Sequence, residues 1–198
     1  MRKQIIISVS REFGSGGHVI AQNIAKQLDI PVYDYNILKE IAVQKGVDHK
    51  NLEKYDEIPK NRLFSRTVRG YNNSPEENIA NLQFKFLKDL AAKGESFVVV
   101  GRCSESILSE YEGLSSFFIL ADMDKKIRRT ADYYHISDEE AEEMVFSINR
   151  KRKQYHNYYC NGSWGDSRYY DMSINCSPLG LDGTTEIVSS FIQKKYNL

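Results

Sequence analysis

The chain reads as a three-layer α/β domain on a parallel sheet of about five strands, and three observations carry that reading. Short apolar, β-branched runs recur along it, at residues 5–9 (IIISV), Phe97–Val100 (FVVV) and 117–120 (FFIL). Amphipathic stretches separate them, and strands alternating with helices predict a parallel sheet covered on both faces. The length, 198 residues, suits one domain with a substantial core better than two.

Taken in order, residues 5–9 form a first buried strand. Residues 18–28 place Ile20, Ala21, Ile24, Ala25 and Leu28 at helical spacing, so a helix follows at once. Residues 31–33 make a short second strand. The segment 47–74 is polar, charged and poorly periodic, which reads as a flap or small insertion. Ser74-Pro75-Glu76-Glu77 is a capping box with proline at the first helical position. It opens a helix with Ile79, Leu82, Phe86 and Leu90 as its buried stripe. After the strands at 97–100 and 117–120, Ser137-Asp138-Glu139-Glu140 opens another capped helix with Ala141, Val145, Ile148, Arg152 and Tyr155 along one side. Met172–Asn175 is a last short strand. Asp182 is placed to cap a final helix carrying Ile187, Val188, Phe191 and Ile192.

Lys plus Arg equals Asp plus Glu at 27 each, so no basic excess supports a nucleic-acid binder and any basic site must be local. No apolar run approaches a membrane span, and the start MRKQIIISVS is too short for a signal-peptide core. Cys103, Cys160 and Cys176 are odd in number and scattered. They read as reduced thiols of a cytoplasmic protein without zinc spacing. His49, His135 and His156 show no metal-ligand pattern and read as solvated.

Between the first strand and the first helix lies SREFGSGGHVIA, residues 10–21. Glycines at 14, 16 and 17 there let the backbone take positive φ and turn several N–H groups onto one oxyanion, with the helix dipole adding to the attraction. The full phosphate-loop pattern G-x-x-x-x-G-K-[ST] is not met. With Gly16 or Gly17 as its second glycine, the lysine place holds Gly17 or His18, and the hydroxyl place His18 or Val19. The loop taken alone reads as an anion binder.

Two basic clusters, Arg128-Arg129 and residues 150–153, flank the acidic stretch 138–143. They suit either a solvated helix with its dipole complemented or a clamp on phosphates. Tyr155, Tyr158 and Tyr159 could stack on a base or pack the second cluster's helix against the core. Arg102 follows Val98-Val99-Val100-Gly101 and should emerge at the carboxyl edge of the sheet, where open α/β sheets bind ligands. Asp34 ends the second strand beside the same edge, to hold a metal-bound water or a substrate hydroxyl, or to cap the next helix.

With SREFGSGGHVIA, the stretches PVYDYN (31–36), VVVGRCSESIL (98–108), DKKIRRTADYYHISDEEA (124–141) and residues 150–183, with their W-G-D and Y-D pieces, resemble the cytidylate-kinase-like family nearly end to end. That family is a branch of the nucleoside-monophosphate kinases within the P-loop NTPases. The resemblance implies a P-loop kinase fold, a flap near 47–74 and a helical lid near 124–170. It also implies ATP with Mg2+ as donor and a pyrimidine monophosphate, or similar small phosphorylated compound, as acceptor. Arg11, Gly14, Ser15, Gly16, Gly17, His18 and Arg150 would hold the donor nucleotide and its phosphates, and no residue is read as a direct metal ligand. Arg102, Arg129 and Arg152 would carry the transfer, while Asp34 and a flap arginine, Arg66 with Arg62 and Arg69 as its rivals, would serve the acceptor side. The chain departs from the kinase pattern at His18, at Cys103, where an aspartate follows the arginine in true cytidylate kinases, and at Asn149, which stands where the family's Asp-Lys-x-Arg run opens with its acidic member. Those departures favour a second expectation, a nucleotide- or phosphate-binding sensor without catalysis. Small nucleotides are the expected partners either way.

Overall fold

The computed structural model describes residues 3–34, 36–45, 67–68, 71–72 and 74–198. Five strands form one fully parallel sheet: β1 (Ile6–Arg11), β2 (Val32–Tyr33), β5 (Phe97–Val100), β6 (Leu114–Leu120) and β7 (Met172–Asn175), in the order β2-β5-β1-β6-β7. A two-stranded antiparallel pair, β3 (Thr67–Val68) and β4 (Tyr71–Asn72), lies within the stretch expected to be a flap. The remainder of residues 47–73, with Arg62, Arg66, Arg69 and His49, falls outside the described residues.

The apolar runs lack polar alternation because both faces of the sheet are covered. Ile7, Val9, Val98, Val100, Phe117 and Ile119 point to one side, against α1 (Gly17–Leu28) and α7 (Gly180–Tyr196). Ile6, Phe97 and Val99 point to the other, against α2 (Ile37–Lys45) and α3 (Pro75–Ala92). Each fully buried Ile, Val, Leu or Phe contributes about 1.5–3 kcal/mol. The short α4 (Ser104–Ile107) follows β5, and α5 (Met123–Tyr134) and α6 (Asp138–Tyr159) lie in the stretch expected to be a lid. Among the described residues no helix is long and apolar enough to cross a membrane.

The Ser137 box forms in full: its Oγ accepts from Glu140 N at 3.2 Å, and Ser137 N donates to Glu140 Oε2 at 3.0 Å. Ser74 Oγ likewise accepts from Glu77 N. Several boundaries differ from the sequence reading. β1 runs on to Arg11 because its pairing with β6 continues to Ile119. β6 starts at Leu114, where Ser115 and Ser116 are buried with their hydroxyls bonded to Tyr196 Oη and Asp171 N. Asp182 is not the cap of α7. Gly180, at φ 68°, turns the chain into that helix early and leaves Asp182 in its first turn. The buried stripe of α7 is Thr184, Val188, Ile192 and Tyr196, which leaves Ile187 exposed. Helix α2 had no local signal strong enough to announce it.

Candidate functional site

The glycine-rich loop closes the carboxyl end of β1 and opens α1. Gly14 and Gly16 sit at φ 75° and 84°. A Cβ on Gly14 would lie 2.8 Å from Lys126 O, and one on Gly16 would lie 2.3 Å from Leu181 Cδ2. So α5 and α7 press directly on the loop, and glycine is required both for the dihedral and for the space. Ser15 is fully buried, and its Oγ donates to Glu12 O and accepts from Gly17 N. Arg129 Nη1 donates to Gly14 O at 2.6 Å, Phe13 N donates to Asn149 Oδ1 at 2.7 Å, and Cys176 Sγ donates to Ser15 O. Gly16→Ala is expected to cost about 1–2 kcal/mol, mostly backbone strain because the Leu181 methyl can move aside. An unchanged urea midpoint would contradict this.

Beside the loop the predicted basic residues gather. His18 Nδ1 meets Asp34 Oδ2 at 2.5 Å, and Arg11 Nη2 lies 3.9 Å from Asp34 Oδ1. Arg152 reaches across from α6, its Nη1 3.5 Å from Arg11 O and its guanidinium 5.6 Å from the Phe13 ring centroid. Arg11, Arg102 and Arg152 line one small cleft with Ser10, Tyr155 and Trp164. Burial alone would push the Asp34 carboxyl up, but the His18 hydrogen bond and the charges of Arg11 and Arg102 outweigh it and hold the group below its ordinary range. A lowered native pKa adds stability above the unfolded value and loses it as pH falls through the native one. Wild type is therefore expected to lose more stability than Asp34→Asn between about pH 6 and about pH 3, read by urea titration. Parallel losses in the two proteins would refute this.

The end of β5 is strained. Gly101, Arg102 and Cys103 are three consecutive left-handed residues, at φ 73°, 59° and 54°. Two of them carry side chains, at about 1–2 kcal/mol each. Such strain persists where the surroundings over-determine it, and it clusters at functional sites. Here it turns the Arg102 side chain, 3% exposed, into the cleft. It is anchored by Ser104, whose Oγ donates to Gly101 O at 2.7 Å and lies 2.6 Å from Ser8 Oγ.

Bordering the cleft, whose wall His156 and Cys103 also form, is a polar cluster that sequence reasoning missed. Glu105 accepts from Ser10 Oγ at 3.1 Å and pairs with His156 Nε2 at 2.6 Å, with Cys160 Sγ 3.9 Å away. His156, expected to be solvated, is 5% exposed because the end of α6 folds down onto α4. Burial opposes its charge, but hydrogen bonds with Cys160 and Glu105 hold its pKa well above the usual histidine range. Hydrogen bonding from Cys103 draws the Cys160 thiol down, against burial and with help from His156. The tyrosines pack rather than line an open face. Tyr155 is buried and lies 4.9 Å from Tyr159, which meets Phe84 of α3 edge-on at 5.3 Å.

Of the expected site residues, the fold brings together Arg11, Gly14, Ser15, Gly16, Gly17, His18, Asp34, Arg102, Arg129 and Arg152. Arg150 is exposed on α6 and stands apart. Asn149, flagged as a loss of charge, anchors the loop backbone at Phe13. A wider groove at the opposite edge, walled by Ile5, Ile24, Leu28, Ile192 and Tyr196, lies at the amino ends of the strands, away from where such sheets bind ligands.

Fold and site together define an α/β domain of kinase type. Shikimate kinases from Bacteroides thetaiotaomicron (TM-score 0.57, 14% identity, 98% of this chain and 99% of that one) and Aquifex aeolicus (0.53, 15%, 96% and 98%) share its architecture. The chain belongs to the cytidylate kinase-like family, whose model matches residues 6–178. It is also similar to an uncharacterized protein from Eubacterium ventriosum, at 34% identity and TM-score 0.77 over 96% of this chain and 99% of that one. No protein with a curated description matches it.

Proposed function

We propose that the chain is a nucleotide-dependent phosphotransferase of the kinase-like type, acting on a nucleoside monophosphate or a similar small phosphorylated acceptor. The observation that carries this reading is the meeting of Arg11, Arg102 and Arg152 in one cleft beside a glycine-rich loop that Arg129 also reaches. Phosphoryl transfer asks for charge stabilisation on non-bridging oxygens and for in-line positioning, and asks little else of the protein. The loop would cradle the donor phosphates, with Arg129 supplying the charge that its missing lysine would bring. Arg102 and Arg11 would hold the acceptor phosphate, and Arg152 would bear on both from α6. A phosphate acceptor is nucleophilic once oriented, so no side chain need act as base. Mg2+, brought with the donor, would supply charge that neutralises the phosphates. It usually keeps several waters, and Asp34, already engaged by His18 and Arg11, suits a contact through one of them.

A second reading, a nucleotide or phosphate sensor on the same fold, is favoured by the way the loop spends its own groups. Phe13 N and Gly17 N are bound by Asn149 and Ser15, and the Ser15 hydroxyl is turned inward to Glu12 O. One experiment decides between them. The chain is incubated with ATP, Mg2+ and each nucleoside monophosphate in turn, following ADP and the new diphosphate, with thermal shifts recorded alongside. Turnover with a pyrimidine monophosphate is the expected result. Nucleotide stabilisation without turnover on any acceptor would overturn the enzyme reading in favour of the sensor.

A further inference from the structure

We infer that Glu105, His156 and Cys160, with Cys103 beside them, form a binding site for a zinc-class divalent cation that ties the end of α6 to the turn carrying Arg102. The three ligand atoms, a carboxylate oxygen, an imidazole nitrogen and a thiol sulfur, lie within 4.8 Å of one another. A tetrahedral Zn2+ with bonds of about 2.0–2.3 Å needs ligand atoms roughly 3.3–3.8 Å apart. The Cys160 Sγ to Glu105 Oε1 separation is already 3.9 Å, and the Glu105 Oε1 to His156 Nε2 separation, 2.6 Å, has only to open by less than about 1 Å, which a small carboxylate rotation supplies. Cys103 is buried and packs in the same cluster as Cys160, beside the three ligand atoms.

The surroundings are those of a metal site. Ligating histidines and carboxylates are oriented by a second set of hydrogen bonds through the atoms that do not ligate. Here the remaining His156 nitrogen, Nδ1, lies 3.4 Å from Asn157 Oδ1, and the remaining Glu105 oxygen, Oε2, accepts from Ser10 Oγ. Both leave Nε2 and Oε1 facing Cys160. Thiolate with imidazole selects zinc-like cations over Mg2+, which takes oxygen ligands, so this site is separate in chemistry from any cation carried by a nucleotide. Its ligands come from two elements, Glu105 from α4 and His156 and Cys160 from the end of α6, so it would join them. It would fix the distance between the helix bearing Arg152 and the strained residues bearing Arg102.

The test uses the full chain, reduced, stripped with a chelator and free of nucleotide, so its outcome is independent of phosphoryl transfer. Titration with Co2+ should produce, at one equivalent, a thiolate-to-metal charge-transfer band with the visible bands of tetrahedral cobalt, and Zn2+ should abolish both. Cys160→Ser should lose the charge-transfer band or weaken binding by more than about 100-fold, beyond the loss of an outer hydrogen-bond partner. In wild type, whose folding is not at issue, Zn2+ should slow alkylation of Cys160 at least about tenfold and Mg2+ should leave it unchanged. Absence of the cobalt band, its persistence in Cys160→Ser, or equal alkylation with and without Zn2+ would each overturn the proposal.

Discussion

Arg102→Ala is expected to lower turnover by roughly 10²–10³-fold, the loss seen when one donor to a developing anionic charge is removed. Arg102 stands on a backbone held left-handed over three residues, is 3% exposed, and lines the same cleft as Arg11 and Arg152. Its charge, with that of Arg11, helps hold the Asp34 carboxyl below its ordinary range, so its field reaches that residue. Arg102→Lys should recover only part of the loss, because an ammonium lacks the planar fork that binds a phosphate at two oxygens. The split between kcat and KM tells where the charge acts: equal falls in kcat and kcat/KM mean that the contact is made in the transition state. A change within about threefold in both ligand affinity and rate would remove Arg102 from the site.

The second large effect is on stability. Glu105→Ala, measured with a chelator present, is expected to cost about 3 kcal/mol, since it leaves the buried His156 without its carboxylate. For a chain of this length that is a fall in Tm of roughly 6–12 °C. Glu105→Ala with His156→Ala should cost less than the sum of the two single changes, because the double variant leaves no unpaired charge behind. A loss below about 1 kcal/mol for Glu105→Ala would mean that the pair is solvated in solution.

The parts of the site that could be read from the chain are those whose meaning is local. A glycine cluster between an apolar run and an amphipathic helix can only be a tight strand-to-helix turn, and Gly14 and Gly16 occupy it with positive φ. The Ser137 box is written in four adjacent residues and forms as written. Arg102 follows a buried strand directly, and its place at the carboxyl edge needs no knowledge of any other element. His156 was misread for the converse reason. Its partner is 51 residues away on a helix of one turn, and nothing near it in the chain is acidic. Asn149 looked like a lost charge because its hydrogen bond runs to the backbone of a residue 136 positions earlier.

By itself, then, the sequence determined the α/β class, the buried strands, the glycine turn between β1 and α1 and the arginine at the strand end. Each follows from periodicity, from φ preferences or from the position of a residue directly after a strand. Tertiary structure alone decided which basic residues share a cleft, that Arg150 stands outside it while Arg152 enters, and that a carboxylate, an imidazole and a thiol meet at its border. Those outcomes depend on where α6 crosses the carboxyl ends of the strands. That crossing is set by long-range packing, Tyr155 and Tyr159 against Phe84 and Cys103, which no local pattern encodes.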